Sequence, residues 1–321
     1  MTRPTSPLPV SANPAVEWPT LAMIVGCYTS YAAVLVFAAQ LGAVVSVLAL
    51  AVLIALQSSL QHEILHGHPF RNAHLNAALV FPALGLVIPY QRFRDLHLQH
   101  HYDPNLTDPY DDPESNYADP ARWAKASWPV RRLYQFNNVL LGRMLLGPAL
   151  SVVALYRADG AAMLQGDRNI MRAYLLHTVG LVPVIWVVSL SPTTGLSYIF
   201  AAYLALSLLK IRTFLEHRAH EKVPGRTVII ESQGPLALLF LNNNFHSVHH
   251  AHPCLPWYQL PAFFAARRAQ FLERNQSYHY TSYVQVFRQY FLRAKDPVPH
   301  PLRPQAEVEH KAQHKRAYEY Q

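Results

Sequence analysis

Three short clusters of histidine stand out in this chain of 321 residues, which contains 18 histidines. The first is HEILH, with His62 and His66; the second is HLQHH, residues 97–101; the third is HSVHH, residues 246–250. On a helix, residues three and four positions apart lie on one face, so each cluster presents two or three imidazoles in one direction. Neutral imidazole is a ligand for zinc, copper, iron and nickel. The clusters therefore predict a metal site.

The first cluster alone fits two incompatible chemistries. As H-E-x-x-H on a helix it is a zinc hydrolase signature, in which Glu63 would be the general base and the chain an intramembrane protease. As one of several clusters it belongs to a site for a redox-active metal. A catalytic zinc takes three protein ligands, which would leave at least five clustered histidines without a role. Eight or nine histidines suit two metal ions, so the sequence favours two irons over one zinc.

Two long uncharged stretches must position these clusters. Residues 18–62 and 173–209 contain no Asp, Glu, Lys or Arg, and only 14% of the whole chain is charged, against roughly 25% in soluble domains. A membrane-spanning helix needs about 20 apolar residues, so each stretch is long enough for two spans joined by a tight turn. We predict spans at these positions: about 20–38, 42–60, 172–190 and 195–213.

The segments between the two stretches are shorter or more polar. Residues 76–90 form an apolar run too short to span, which indicates a re-entrant or interfacial segment. Residues 103–120 are acidic and proline-rich, which is typical of an ordered loop. Residues 137–156 are apolar but hold Arg143 and Pro148. We expect an interfacial helix there, with a fifth span as the alternative.

The predicted fold is an all-α integral membrane protein. Four transmembrane helices form two hairpins, with interfacial or re-entrant helices and a cytoplasmic helical cap that holds the metal site. The membrane domain covers residues 20–295, between a polar N-terminal segment of residues 1–19 and a polar C-terminal tail of residues 296–321. Lys and Arg crowd the helix ends opposite the uncharged turns, which marks the cytoplasmic side. We therefore expect a multi-pass protein of the cell membrane, the inner membrane of a bacterium, with both termini and the site in the cytoplasm.

This topology brings the histidine clusters to one layer beside the membrane. His62 ends the second predicted span, and His217 follows the fourth in the segment RTFLEHRAH, where His220 is a weaker competitor. Other histidines are expected to have ordinary roles. We expect three of them to be interior, hydrogen-bonded residues: His68, His74 and His177. We expect the three tail histidines to be solvated: His300, His310 and His314.

The order of the motifs resembles the membrane-bound fatty acid desaturase family: HEILH, HLQHH, the histidine of RTFLEHRAH, and NNNFHSVHH. Wider relatives of that family include fatty acyl hydroxylases and carotenoid ketolases and hydroxylases. The resemblance covers about residues 20–262, and the segments LTDPYDDPESNY and HHAHPCLPWYQLP look like its bacterial branch. It implies an O₂-dependent di-iron oxidoreductase that introduces a double bond into the acyl chain of a fatty acid or lipid. The alternative is hydroxylation or other oxidation of an acyl chain, carotenoid or related lipid at the same site, and an intramembrane zinc protease is a remote third.

The resemblance also implies the metal ligands and cofactors. Two iron ions would be bound, with O₂ as co-substrate. Carried over by position, the iron ligands would be His62, His66, His97, His100, His101, His217, His246, His249 and His250. Family members often have an asparagine four residues before the isolated histidine, where it holds a water on one iron. This chain departs from that pattern with Thr213.

Supporting side chains are suggested by their position next to the clusters. Ligating histidines usually donate their second N–H to a carboxylate or a carbonyl. Candidates for this orienting role are Glu63, Asp95, Asp103, Asp108, Glu216 and Asn244. Candidate walls of a substrate tunnel are Phe93, Tyr102, Phe245 and Trp257.

The remaining requirement is a source of electrons. The chain has two separated cysteines, Cys27 and Cys254, and no nucleotide-binding glycine loop or heme motif. An external donor, a ferredoxin or a similar small carrier, is therefore expected to dock on the basic cytoplasmic face. The net charge of +8 fits an acidic partner or anionic lipid, and we do not expect nucleic-acid binding. The substrate would be a lipid or acyl chain within the membrane.

Overall fold

The structure is a computed structural model that describes residues 16–303, and this part of the chain is mostly helical. The expectations for residues 1–15 and for His310 and His314 lie outside the described residues. The helices are α1 (Trp18–Val36), α2 (Ala38–Leu41), α3 (Ala43–Leu65), α4 (Ala73–Val80), α5 (Tyr90–Tyr102), α6 (Pro120–Lys125), α7 (Trp128–Asn137), α8 (Leu140–Leu164), α9 (Arg168–Ser189), α10 (Gly195–Thr213), α11 (Pro235–Leu239), α12 (His246–Ala251), α13 (Leu260–Ala266), α14 (Arg268–Arg274) and α15 (Tyr283–Tyr290). Two short strands, β1 (Ile229–Ile230) and β2 (His279–Tyr280), pair in parallel, and Val223–Arg226 forms a 3₁₀ turn.

Five of the described helices are long and apolar enough to cross a membrane: α1, α3, α8, α9 and α10. Four of them lie where the sequence predicts spans. The fifth, α8, covers the segment expected to be interfacial and runs on to Leu164. It carries two buried charged residues, Arg143 and Asp159. The protein is therefore a membrane protein with one more candidate spanning helix than the four predicted.

The ends of the long helices follow from local sequence. Gly42 has φ +76°, a left-handed conformation that glycine adopts without strain, and it separates α2 from α3 at the first hairpin turn. The Asp167 side chain accepts hydrogen bonds from the first backbone N–H groups of α9, and Thr194 does the same for α10. The helices of both hairpins therefore begin at residues that are suited to a helix start.

The segment from α4 to residue 89 packs against α3 and α10. Backbone carbonyls of this segment accept hydrogen bonds from side chains of those helices: Gln57 donates to the carbonyls of Val80 and Pro82, and Tyr198 donates to that of Leu84. Backbone that is not helical is tolerated at membrane depth only when it is paired in this way. The chain then enters α5, which carries the second histidine cluster.

The third cluster lies beside the two short strands β1 and β2. The backbone N–H of Ile230 donates to the carbonyl of Asn244, and the Asn244 side chain donates to the carbonyls of Ile230 and Ser232. Just before it, Leu241 and Asn242 both have positive φ, at 48° and 54°. This turn changes the direction of the chain, and α12 then begins at His246, beside the end of α10.

The last described residues pack back onto the loop that follows α5. The N–H of Ala118 donates to the carbonyl of Val298, and the N–H of His300 donates to the carbonyl of Ala118. Val298 and His300 are both buried. The expectation that His300 is a solvated tail residue was therefore wrong, because this part of the tail is paired with the interior.

Candidate metal centre

The first group of histidines draws on three helices. The C-terminal end of α3 supplies two rings, α5 supplies two, and α12 supplies one. One ring nitrogen from each lies within 4.8 Å of the others, and the members are His62, His66, His97, His101 and His249. We call this group the five-histidine cluster.

The second group is formed by α5, the segment that follows α10, and α12. Its ligand atoms also lie within 4.8 Å of one another, and its members are His100, His217, His246 and His250. We call it the four-histidine cluster. The two clusters adjoin, because the rings of His101 and His250 stack with centroids 4.2 Å apart. The structure thus brings together all nine histidines that the sequence proposed as ligands, in two adjacent sets. His220 instead contacts Lys222, through its own Nδ1.

The separations between ring nitrogens test whether a metal ion fits. Two nitrogens bound at about 2.1 Å to one metal are about 3.0 Å apart at a right angle and about 3.4 Å apart at a tetrahedral angle. The observed Nε2–Nε2 distances are 3.0 Å for His97–His101, 3.1 Å for His101–His249, 2.9 Å for His100–His217, 3.0 Å for His217–His246 and 3.1 Å for His246–His250. The Nε2 atoms of His62 and His66 are buried with no hydrogen-bond partner among the described residues. Each cluster therefore fits one metal ion.

Three side chains orient cluster histidines through the opposite ring nitrogen. Nδ1 of His100 lies 2.7 Å from Asp112 Oδ1, Nδ1 of His97 lies 2.7 Å from Glu114 Oε1, and Nδ1 of His246 lies 3.2 Å from Asn243 Oδ1. An N–H on Nδ1 that donates to such an acceptor leaves the Nε2 lone pair free for a metal. The sequence candidates did not include these three orienting residues. The available signal was the acidic segment 103–120, which contains Asp112 and Glu114.

Two of the sequence candidates for this role lie near the clusters without bonding a ligand ring. Oε1 of Glu216 is 3.7 Å from Nδ1 of His246 and pairs at 2.9 Å with Arg212. Glu63 accepts a hydrogen bond from the backbone N–H of Trp257, and its Oε1 lies 3.7 Å from Nε2 of His68. Glu63 therefore faces away from the ligand nitrogens and ties α3 to the loop after α12.

The other four candidates have structural roles elsewhere. Asp95 pairs with Arg94 on the surface, and Asp103 accepts from the N–H of Asn105. Asp108 caps the turn at Tyr110, and Asn244 holds β1 as described above. Side chains adjacent in sequence to a ligand thus lie on other faces of the same element.

The aromatic residues proposed as tunnel walls are dispersed. Phe93 lies beside His97, with ring centroids 5.9 Å apart. Tyr102 is 83% exposed, and Phe245 packs against Phe264. Trp257 packs in the hydrophobic cluster around α1 and α3. Phe93 is therefore the member of this set that contacts a cluster histidine directly.

The electrostatics of the site favour neutral rings at most cluster positions. His100 is the exception: burial alone would lower its pKa, but the carboxylates of Glu114 and Asp112 outweigh burial and raise that pKa to about 9. Burial, followed by the neighbouring His97 and His100, lowers the pKa of His101 to about 3. Burial is also the main cause that lowers the pKa of His66, His217, His246, His249 and His250 well below the ordinary value. Burial alone would raise the pKa of Glu114, but His100 and His97 outweigh it and hold the pKa far below its usual range. Neutral imidazoles beside ionised carboxylates are the state that binds a cation.

Long apolar helices with nine histidines gathered beside their ends define a membrane protein with a histidine-rich candidate metal site. The model of the fatty acid desaturase family matches residues 19–282, most of the chain, and this protein belongs to that family. No curated protein has a significant match to the chain. The resemblance drawn from the order of the histidine motifs is thereby confirmed at the level of the family.

Proposed function

We propose that this protein is an O₂-dependent di-iron desaturase that introduces a double bond into an acyl chain in the membrane. The observation that carries the proposal is the pair of adjacent clusters, with five and four histidines, in a chain of the desaturase family. Two irons bound there would supply the activation of O₂ and the removal of hydrogen from an unactivated methylene. In total the acyl chain loses two hydrogens, and O₂ with two electrons and two protons becomes two waters.

The number of histidines supports iron over zinc. A catalytic zinc takes three protein ligands, whereas five and four histidines converge in two adjacent clusters. The expected acid–base role of Glu63 in a zinc protease also lacks support, since its carboxylate accepts from Trp257 and faces His68. Family membership and this placement both argue against the protease interpretation.

The chain's own residues hold the ligands and exclude water. Asp112 and Glu114 fix His100 and His97 so that the Nε2 atoms point into the clusters. Most cluster histidines are buried, so the reacting carbons would be kept away from bulk water. Placement of the acyl chain decides between loss of a second hydrogen and transfer of oxygen, and hydroxylation is the second candidate function for the same site.

Four crossings of the membrane are proposed rather than five. The ends of α3 and α10 lie on the same side of the membrane, because His62, His66 and His217 belong to adjoining clusters. The start of α9 shares that side with the end of α10, since the two helices form a hairpin. The chain from residue 66 to residue 167 therefore leaves and returns on one side, and α8 alone cannot cross in between. Its buried Asp159 pairs at 2.7 Å with Arg92, which lies in the first turn of α5 close to the clusters.

The partners and location follow from this topology. We propose that the metal centre and both termini face the cytoplasm of a bacterium, because basic residues are concentrated at that end of the helices. An acidic ferredoxin or a similar small carrier would supply the electrons there. The substrate is an acyl chain of a fatty acid or lipid that enters from the membrane.

The proposal is tested by expressing the chain with a matched ferredoxin and reductase in a bacterial host and analysing the lipids by mass spectrometry. We expect acyl chains lighter by two hydrogens, absent from cells that carry His100→Ala. Chains heavier by one oxygen would establish the hydroxylase instead. Purified protein that contains zinc and no iron would overturn both.

A further inference from the structure

A short segment beyond the family match contacts two segments that hold the four-histidine cluster. The match ends at residue 282, whereas residues 295–300 return from the end of α15 to the loop after α5. We call residues 295–300 the C-terminal strap. Its side chains and backbone make two separate sets of contacts, each of which ends at a histidine of the four-histidine cluster.

The first set of contacts holds the segment of His217. The Lys295 ammonium group donates to the backbone carbonyl of His217, and Nζ lies 3.3 Å from the carboxylate of Asp296. That carboxylate accepts from the Tyr117 hydroxyl at 2.5 Å, and the same hydroxyl accepts from the N–H of Ala219 at 2.8 Å. Two backbone groups around His217 are thus fixed by the strap, one directly and one through Tyr117.

The buried ammonium group has a specific consequence. The Lys295 side chain is only 8% exposed, and burying a charge is unfavourable unless it is paired. Lys295 pairs with the Asp296 carboxylate and with the carbonyl of His217. The strap therefore depends on the position of that carbonyl, and the backbone of His217 depends in turn on the strap.

The second set of contacts runs to His100. Nε2 of His300 lies 3.2 Å from the Thr107 hydroxyl, and the N–H of Thr107 donates to Asp112 Oδ2 at 2.7 Å. The other oxygen of Asp112 accepts from His100. Thr107 has φ +76°, which is strained for a β-branched residue and persists only where its surroundings hold it. The strap supplies part of that support.

We propose that the C-terminal strap is a positioning element for the four-histidine cluster and determines how tightly that cluster retains its metal ion. The inference rests on the proposed two-metal function. Both sets of contacts end in the four-histidine cluster, at His217 and at His100. Loosening the strap therefore weakens one of the two metal positions more than the other.

The experiment compares Lys295→Met with Arg293→Met, which removes the same charge from an exposed residue two positions away. The full chain is purified in detergent, and iron per chain and its release to a ferrous-iron chelator are measured. For wild type and Arg293→Met we expect about two irons released with similar rates. For Lys295→Met we expect about one iron retained and release of the other accelerated about 10-fold or more, in line with losses of partners behind metal ligands. Lys295→Arg, which keeps a donor, should restore most of the second iron.

A second variant provides an independent test in case the first does not fold. His300→Ala removes the other contact without deleting a charge, and it should show the same selective loss of one iron with an unchanged elution profile. Two irons with wild-type release in both variants would overturn the inference while leaving the proposed function intact. Equal loss of both irons would also overturn it, because the effect would not be specific to one cluster. A wild type that never holds two irons would overturn the proposed function, and the inference with it.

Discussion

Nδ1 of His100 lies 2.7 Å from Oδ1 of Asp112, and both side chains are buried. Asp112 belongs to the loop after α5, twelve residues beyond the histidine that it orients. Its second oxygen accepts from the N–H of Thr107, so the carboxylate is itself held on both sides. A buried carboxylate fixed in this way sets the direction of the imidazole and raises its basicity as a ligand.

Replacing this carboxylate should weaken metal binding without removing a ligand. We expect Asp112→Asn to lower metal affinity about 10- to 100-fold, because the amide is a poorer acceptor and turns an N–H towards Thr107 or His100. Iron content after dialysis against a chelator measures the effect. Asp111→Asn, at an exposed position in the same loop, is the control and should retain its iron. An Asp112→Asn protein with wild-type retention would show that the contact is not needed for metal binding.

Both clusters should be required for activity. His66→Ala removes a ligand from the five-histidine cluster and His246→Ala removes one from the four-histidine cluster. Because O₂ chemistry at a di-iron site needs both metals, each variant should lose at least about 100-fold in product formation, equivalent to about 2.7 kcal/mol of transition-state stabilisation. Lipid analysis of expressing cells provides the measurement. His74→Ala is the matched control: this histidine of α4 is exposed, so the expectation that it is an interior residue was wrong. Substantial product from either cluster variant would contradict a two-metal site.

Glu63 should matter for stability more than for chemistry. Its carboxylate accepts from the N–H of Trp257 and lies beside His68, which bonds Glu17 at 2.8 Å. We expect Glu63→Gln to reduce the free energy of unfolding by about 1–3 kcal/mol, since a buried charged partner is lost. Thermal unfolding in detergent and product formed per bound iron are the two measurements. Unchanged thermal stability with abolished turnover would instead support a direct role of Glu63 in the reaction.

The crossing pattern can be tested by labelling single cysteines from each side of the membrane. In a Cys254→Ser background we expect Ser127→Cys and Gln165→Cys, which flank α7 and α8, to react from the same side. Gln40→Cys, at the turn between α1 and α3, should react from the opposite side. All three positions are exposed. Labelling of Ser127→Cys and Gln165→Cys from opposite sides would show that α8 crosses and that the four-crossing proposal is wrong.

Two glycines of α8 should respond oppositely to alanine. A Cβ on Gly142 would lie 1.7 Å from the backbone carbonyl oxygen of Phe136, whereas a Cβ on Gly160 meets nothing within 4 Å. Gly142→Ala should therefore cost about 3 kcal/mol or more, because backbone atoms must shift. Gly160→Ala should be neutral or stabilising by up to about 1 kcal/mol through its helix propensity. Thermal unfolding of the two variants side by side checks this. Equal stabilities would mean that the backbone between α7 and α8 can shift to accommodate the Cβ at little cost in free energy.

The convergence of the nine histidines was predictable because their spacing is a local property. Positions three and four apart share a helix face, and each cluster sits on or beside the end of a helix. The apolar stretches also located α1, α3, α9 and α10, since hydrocarbon length and the absence of charge are read directly from the chain. These features need no knowledge of tertiary packing.

The orienting residues were not predictable from adjacency. Asp95 is two residues from His97, but on a helix that spacing turns its side chain to a different face, where it pairs with Arg94. Asp112 and Glu114 reach their histidines because the loop folds back over α5, and that path depends on Thr107 and on the strap. His300 is buried for a similar reason, because it forms long-range hydrogen bonds with Ala118 and Thr107.

The distribution of ligands along the chain has a consequence for biogenesis. Each cluster contains at least one ring from residues 246–250, so neither can be completed until that segment has left the ribosome. By then all of the long apolar helices have been synthesised, because α10 ends at Thr213. Under the proposed two-metal function, metal loading would therefore be a late step that follows synthesis of the long helices. Cells starved of iron should accordingly accumulate an inserted apoprotein that is activated when the metal returns.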